Sequence, residues 1–259
     1  MRDFLDTLAY TAKASLDSGY YEDDVTATAI PASLKQAIIQ STGNAIISEV
    51  KSASPSKGII KMNFAPDTVA QAMARGGAIG ISILTEPKHF GGSLKYLAKI
   101  RESVNLPLLM KDIVISPIQL DAAIRVGANA VLLIVGLFDR GYCECDASSM
   151  IKEAHERNLE VLLEAHTKDE FDTAMASAAD LVGINNRDLR TLKVDLKVTR
   201  DILISGAANG KTVVSESGIN SASEVRFLRR CGANAFLVGS AVMLADDIEA
   251  KVKELVQIS

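Results

Sequence analysis

Seven positions in this 259-residue chain carry polar chemistry where apolar runs end. They are Glu49 and Lys51, Lys111, Glu164, Asn185, and the pair Glu216-Ser217. Two lysines facing several glutamates form an acid/base set that needs no metal. The carboxylates tune the ammonium groups, and an ammonium can protonate an oxygen as negative charge develops on it. A divalent metal would want carboxylates or imidazoles without ammonium groups between them, and none of His89, His155 and His166 has a partner at ligand spacing. His166 directly follows the Glu164 region and reads as a surface or supporting histidine rather than a substrate contact. No metal and no organic cofactor is expected.

The elements that must position these residues are eight short apolar runs at 45–50, 79–84, 106–110, 130–135, 161–163, 181–184, 212–214 and 235–238, with helical patterns between them. Continuous apolar strands alternating with helices argue for a parallel sheet covered on both faces. The length matches the roughly 250 residues of a (β/α)8 barrel, so the fold class is α/β, a (β/α)8 TIM barrel forming one catalytic domain over 1–259. Side chains alternate along a strand, which points Glu49 and Lys51 together into the barrel mouth and Val50 toward the helices. In this fold the mouth at the strand C-termini is where active sites lie.

Helix boundaries support the frame. Ser116 with Gln119, Thr167 with Glu170 and Ser221 with Glu224 have capping-box spacing, and Pro117 suits a first helical position. Arg75-Gly76-Gly77-Ala78, Arg125-Val126-Gly127-Ala128 and Arg230-Cys231-Gly232-Ala233 each end a helix on glycine before a strand. Gly77, Gly127 and Gly232 are spaced as two and then four modules of roughly 26 residues. Residues 1–43 are left over as an N-terminal helical extension packed on the barrel. In it Phe4, Leu5, Leu8, Ala9, Ala12 and Leu16 recur at helical spacing, as for a helix that caps the barrel or borders its mouth.

Composition narrows the function classes. Lys and Arg total 28 against 32 Asp and Glu, with no long basic run, which argues against a nucleic-acid surface. The N-terminal segment carries Asp3, Asp6 and Lys13 and has no apolar stretch of signal or membrane length, so a cytoplasmic enzyme without membrane contact is expected. Cys143, Cys145 and Cys231 lack zinc spacing and read as reduced thiols. Ser215-Glu216-Ser217-Gly218 and Gly239-Ser240-Ala241 occupy the two loops that commonly hold phosphate in such barrels, and Ser54 or Lys57 of the loop after the first strand can join them.

The stretch Ile46-Ile47-Ser48-Glu49-Val50-Lys51-Ser52-Ala53-Ser54-Pro55-Ser56-Lys57-Gly58 closely resembles the signature of the indole-3-glycerol-phosphate synthase family, the ring-closing enzymes of tryptophan biosynthesis. The resemblance continues in order through Ile81–Glu86 with Phe90-Gly91-Gly92-Ser93, Leu108-Leu109-Met110-Lys111-Asp112, Leu162-Leu163-Glu164, Gly183-Ile184-Asn185-Asn186-Arg187-Asp188-Leu189, Ser215–Ile219 and Leu237-Val238-Gly239-Ser240. It implies conversion of 1-(2-carboxyphenylamino)-1-deoxyribulose 5-phosphate into indole-3-glycerol phosphate, CO2 and water.

By that resemblance Lys111 is the general acid toward the ketose oxygen and Lys51 holds the substrate carboxylate, with the dehydration step open to either lysine. Glu164 and Glu49 serve as base and electrostatic partners, and Asn185, Glu216 and Ser217 complete the polar wall. Ser54, Gly218, Gly239 and Ser240 hold the phosphate, Arg187 is a second-tier contact, and Phe90 and Leu189 pack on the anthranilate ring. Ile113 departs from the family's frequent aromatic residue, residues 136–149 read as a variable loop and helix start, and the N-terminal segment matches poorly. The chain is expected to act as a monomer, with transient contact to other enzymes of the pathway. The alternatives are another phosphate-binding barrel enzyme of that pathway, such as phosphoribosylanthranilate isomerase or the tryptophan synthase α subunit, and a non-catalytic phospholigand-binding barrel.

Overall fold

The computed structural model describes residues 3–54, 58–60, 64–205 and 210–258. Eight parallel strands close into a barrel in chain order: β1 (Ala45–Val50), β2 (Gly80–Leu84), β3 (Leu108–Lys111), β4 (Ala130–Ile134), β5 (Glu160–Ala165), β6 (Leu181–Asn185), β7 (Thr212–Glu216) and β8 (Ala235–Val238), with β8 pairing back onto β1. The helices α3 (Pro66–Arg75), α4 (Leu94–Arg101), α5 (Pro117–Arg125), α6 (Val135–Asp139), α7 (Ala147–Glu156), α8 (Lys168–Ala176), α9 (Lys197–Ser205), α10 (Ala222–Arg230), α11 (Ser240–Met243) and α12 (Ile248–Val256) lie between and after the strands.

Alternation divides the strand residues between two cores. Ile46, Val50, Ile81, Ile83, Val131, Leu133, Val182 and Ile184 face the helices in one buried cluster. Ala45, Ile47, Leu109, Leu132, Leu162, Leu181, Val214 and Leu237 fill the barrel interior in the other. The same parity carries forward to the inward ends of the strands, at Glu49, Lys111, Ile134, Glu164, Asn185 and Glu216. Charged side chains gather in this last layer, although inward parity also places Ser82 of β2 and Glu160, the first residue of β5, on the same face.

Six of the eight strands begin or end at residues other than the sequence reading gave. The third strand starts at Leu108, since Pro107 has no N–H to give the ladder. The fifth runs on through Glu164 and Ala165, pairing with Gly183 and Ile184, because a charge that faces a polar mouth does not interrupt backbone pairing. Val135, expected in the fourth strand, begins the short helix α6, and the region read as a loop over 136–149 holds the end of α6 and the start of α7. A buried apolar run reads alike for strand and helix. Gly77, Gly127 and Gly232 all adopt positive φ, as helix-ending glycines do.

The N-terminal segment works at both ends of the barrel. Helix α1 (Phe4–Asp17) buries Leu5, Leu8, Ala9 and Ala12 over the mouth. It is tied there by Arg140 to Asp3 (2.8 Å) and Asp6 (2.6 Å) and by Thr11 Oγ1 to His89 Nε2 (3.0 Å). The chain then runs along the barrel wall, where Ala27 N donates to Arg125 O, and reaches α2 (Leu34–Ile39) at the opposite end. Glu160, the first residue of β5, accepts from the backbone N–H groups of Leu34 and Lys35 at the start of α2 (2.7 and 3.1 Å). Leu34 is fully buried, and a Cβ on Gly80 of β2 would lie 2.6 Å from its Cδ1. Contact with β2 and β5 at once places α2 across the barrel floor.

Candidate active site

The inward strand ends surround a cavity of about 430 Å3 at the mouth. Glu49, Lys51, Lys111, Glu164, Asn185 and Ser217 line it, and so do the loop residues Phe90, Arg187, Leu189, Gly218, Gly239 and Ser240. Of the residues singled out in the sequence, Glu216 stands apart. It is fully buried beneath the cavity wall and meets Lys111 Nζ in a short ion pair, so it reaches the cavity through the lysine. The side chain of Ser54, and all of Lys57, lie outside the described residues.

Two ion-pair groups organise the floor. Lys51 Nζ sits 2.7 Å from Glu49 Oε1. Lys111 Nζ lies between Glu216 and Glu164, 3.4 Å from Glu164 Oε2, while Asn185 Nδ2 donates to Glu164 Oε1 at 3.1 Å. Glycine makes both groups possible. A Cβ on Gly239 would fall 2.4 Å from Glu49 Oε1 and 2.7 Å from Lys51 Nζ, and one on Gly183 would fall 2.3 Å from Glu216 Oε1. Each carboxylate occupies space that any other residue type would fill.

Burial and pairing pull the titrations apart. Burial pulls the Lys111 ammonium down, but Glu216, Glu164 and Glu49 together hold it above the ordinary lysine value. For Glu164 burial pushes up, and Lys111 and His166 override it, leaving the carboxyl well below the usual carboxylate range. Glu216 goes the other way. Its burial, with repulsion from Glu164 and Glu49, outweighs Lys111 and raises it. Glu164 is therefore the fixed anion of the pair and Glu216 the one closer to accepting a proton. Burial also lowers Arg187, against the pull of Glu49.

Loop geometry completes the wall. Glu86 accepts from the N–H groups of Lys88, His89 and Phe90 (2.9, 2.7 and 3.0 Å), a turn that fixes where Phe90 enters the cavity. After β7, Ser217 takes φ 66 and Gly218 φ 85. A left-handed serine costs of order 1–3 kcal/mol and is the kind of strain found at functional sites. Phe4 and Leu8 of α1 and Ile113, Leu132 and Ile134 form the apolar side.

Sequence reading missed Glu86 and Asp112 as lining residues, along with Phe4 and Leu8 of the poorly matched N-terminal segment. The helical spacing of Phe4 and Leu8 was the available signal. His166 lies behind Glu164, 3.2 Å from its Oε1, and outside the cavity lining. Among the described residues, no group of three or more His, Cys, Asp and Glu side chains is arranged to hold a metal ion, and no helix is long and apolar enough to cross a membrane.

A family model for indole-3-glycerol phosphate synthase matches residues 9–255. The chain belongs to the indole-3-glycerol phosphate synthase family. An indole-3-glycerol phosphate synthase of Neisseria gonorrhoeae is 43% identical over 211 residues, 82% of this chain and 79% of its relative. One from Campylobacter fetus is 38% identical over 234 residues, 90% and 89% of the two chains. Among solved structures, thiamine phosphate pyrophosphorylase from Pyrococcus furiosus superposes with a TM-score of 0.60 at 19% identity, covering 86% of this chain and 96% of that one. N-acetylmannosamine-6-phosphate 2-epimerase from Clostridium perfringens gives 0.60 at 16%, covering 83% and 93%. These last two share the barrel and carry no more than that.

Within the indole-3-glycerol phosphate synthase family the match begins at residue 9, so it includes most of α1 and all of α2. Part of α1, from Ala9 on, and all of α2 thus fall within the family's own pattern.

Proposed function

We propose that this chain closes the indole ring: it converts 1-(2-carboxyphenylamino)-1-deoxyribulose 5-phosphate into indole-3-glycerol phosphate, CO2 and water, with Lys111 as the general acid. The observation that carries the reading is the seating of Lys111 between two buried carboxylates at the floor of a cavity whose opposite wall is apolar. The aromatic carbon bearing the carboxylate attacks the ketose carbonyl. Lys111 gives its proton to that oxygen, CO2 leaves and restores the ring, and loss of water completes the pyrrole. Lys51 binds the substrate carboxylate, in exchange for part of its contact with Glu49. Glu164, held anionic while Lys111 is charged, takes the proton released as the second double bond forms, once Lys111 has given up its own, and Asn185 and Ser217 hold substrate hydroxyls.

The phosphate is assigned to the backbone and hydroxyl donors of Gly218, Gly239 and Ser240, joined by Ser54, and Arg187, which feels the charge of Glu49, is a second-tier contact for the substrate or that carboxylate. Phe90 and Leu189 sandwich the anthranilate ring against Leu8 and Ile113. Residues 1–259 are proposed to act as one catalytic domain, a monomer in the cytoplasm in transient contact with other pathway enzymes. A tryptophan-pathway isomerase or lyase of similar shape would not call for two mouth lysines.

The test is indole fluorescence on purified protein with no metal or cofactor added. Wild-type protein should turn over equally with and without EDTA. Lys111→Ala should lower kcat by roughly 10²–10⁴-fold, the usual worth of a general acid, while still binding substrate. Turnover surviving in that variant sinks the assignment of Lys111.

A further inference from the structure

We propose that His166 is a positioning residue for this reaction, clamped between Glu164 and Glu170 so that Glu164 keeps one oxygen turned toward Lys111 and the cavity. The inference rests on the assignment of Glu164 as the catalytic carboxylate.

The geometry begins with an anomaly at the start of α8. In α5 and α10, Gln119 and Glu224 return to the backbone of the capping serine and close a full capping box. Both also accept from the N–H before that serine, Ile115 N at 2.7 Å and Asn220 N at 2.6 Å, whereas in α8 Thr167 accepts from Glu170 N at 3.2 Å and the Glu170 carboxylate keeps only the bond to the preceding residue, His166 N at 2.6 Å. The same Oε2 stands 3.4 Å from His166 Nδ1. The other ring nitrogen, Nε2, is 3.2 Å from Glu164 Oε1. One oxygen of Glu170 thus binds the backbone of His166 and stands beside its ring, whose other nitrogen lies at ion-pair distance from a catalytic carboxylate.

Glu164 Oε1 then accepts a hydrogen bond from Asn185 Nδ2 and has His166 Nε2 at ion-pair distance, a ring nitrogen with no hydrogen-bond partner of its own, while Oε2 faces Lys111. The result is a line of alternating charge from helix to barrel centre: Glu170, His166, Glu164, Lys111, Glu216. The groups facing His166 are Glu164 from β5 and Glu170 from α8. Those facing Glu164 are His166, Lys111 from β3 and Glu216 from β7, with the neutral Asn185 from β6. Glu170 is itself covered, since a Cβ on Gly136 of α6 would meet Glu170 Oε1 at 3.4 Å and Leu5 of α1 at 3.1 Å. The imidazole is nearly buried, and although burial alone lowers it, its two carboxylate neighbours raise it to about 9. The clamp is therefore cationic at neutral pH and releases as pH rises through that value.

The experiment pairs an NMR titration of the His166 ring carbon in the ligand-free protein with pH profiles of kcat for wild type, His166→Gln and Glu170→Gln. Glu164→Gln is included as a control on the underlying assignment. The expected result is a His166 midpoint far above the free imidazole value of about 6.5, lowered by about one unit or more in Glu164→Gln and in Glu170→Gln. Wild-type kcat should fall in alkali with the same midpoint. His166→Gln should lose that limb and run roughly tenfold slower at neutral pH with KM little changed, as expected when a reacting group is misplaced by a fraction of an ångström.

A His166 midpoint near the free value overturns the clamp. A slower His166→Gln enzyme that keeps the alkaline limb overturns the positioning role, since a structural defect alone would leave the profile where it was. Full turnover in Glu164→Gln overturns the assignment of Glu164 instead. In that case the ligand-free titrations still decide whether the clamp exists.

Discussion

Replacing Gly239 by alanine isolates the Glu49–Lys51 pair without touching either residue. The new Cβ would lie 2.4 Å from Glu49 Oε1, 2.7 Å from Lys51 Nζ and 2.8 Å from Lys51 Cε. Ordinary contact begins near 3.4 Å, so the carboxylate must withdraw by about 1 Å and the ammonium by somewhat less. The backbone does not resist, because Gly239 has φ −113, open to any residue. What moves is the flexible end of two side chains, and stability should change by no more than about 1 kcal/mol. Catalysis is less forgiving. A displacement of about 1 Å typically costs ~10²-fold, or about 2.7 kcal/mol of transition-state stabilisation. The backbone N–H offered to phosphate survives in the alanine variant, so the loss should appear in kcat more than in KM. Steady-state fluorescence kinetics with a thermal melt of the same sample provides the assay. A kcat within threefold of wild type would refute the claim that this glycine exists to seat the ion pair.

Two further variants probe the surroundings of the site. Asp112, next to the lysine, accepts from Tyr21 Oη (2.9 Å), Thr85 and Ile113 N (2.7 Å), and burial pushes it up to about 6 despite these donors. A folded-state value above the ordinary 3.8 means that its ionisation works against folding as pH rises from about 4 to about 6. Tyr21→Phe removes a donor to the charged form, so it should cost ~1–3 kcal/mol above pH about 6 and distinctly less near pH 4, read by denaturant melts at both pH values. A deficit equal at both would show that the hydroxyl bonds protonated and ionised Asp112 alike, and no deficit at either would show that Tyr21 acts only through its ring. At the opposite end, Leu34→Ala should destabilise by ~2–5 kcal/mol and leave kcat and KM near wild type, because the strand N-termini serve stability. A large kinetic effect without a stability loss would place α2 in the catalytic apparatus.

The barrel was legible because its strands are buried on both faces and appear as uninterrupted apolar runs. The ring at the mouth was legible because parity turns a Glu-Val-Lys triplet into two charges on one side. What stayed hidden depended on distance across the fold. Nothing in Leu34-Lys35-Gln36 announces that a six-residue helix crosses the barrel floor to meet Gly80 and Glu160, for its apolar spacing is too short to declare a face. The retreat of Glu216 beneath the wall was equally hidden, because strand parity gives direction and not depth. The Thr167–Glu170 spacing was read correctly as a helix start, but which backbone N–H the glutamate reaches depends on the histidine before it. Cys143 and Cys145, unusual in the sequence, are free thiols outside the cavity lining, and Cys143 Sγ donates to Val114 O at 4.0 Å.

The charge order at the mouth bears on when the proposed acid acts. A lysine held above its ordinary value by three carboxylates is a weak acid toward a neutral ketone oxygen, and no general acid is useful if it gives up its proton too reluctantly. The same lysine is well matched to an alkoxide, whose basicity rises as the new carbon–carbon bond forms. Lys111 would therefore stabilise the developing charge as a fixed cation first and transfer its proton late in bond formation. Glu216 makes the transfer affordable. Because burial already pushes it up to about 7, a neutral Lys111 need not leave a pair of buried anions unbalanced: Glu216 can take up a proton as Lys111 loses its own, while Glu164 stays ionised. Two carboxylates of one residue type, on β5 and β7 to either side of β6, are thus set to opposite tasks by their depth and by His166, the second cation that only Glu164 has behind it.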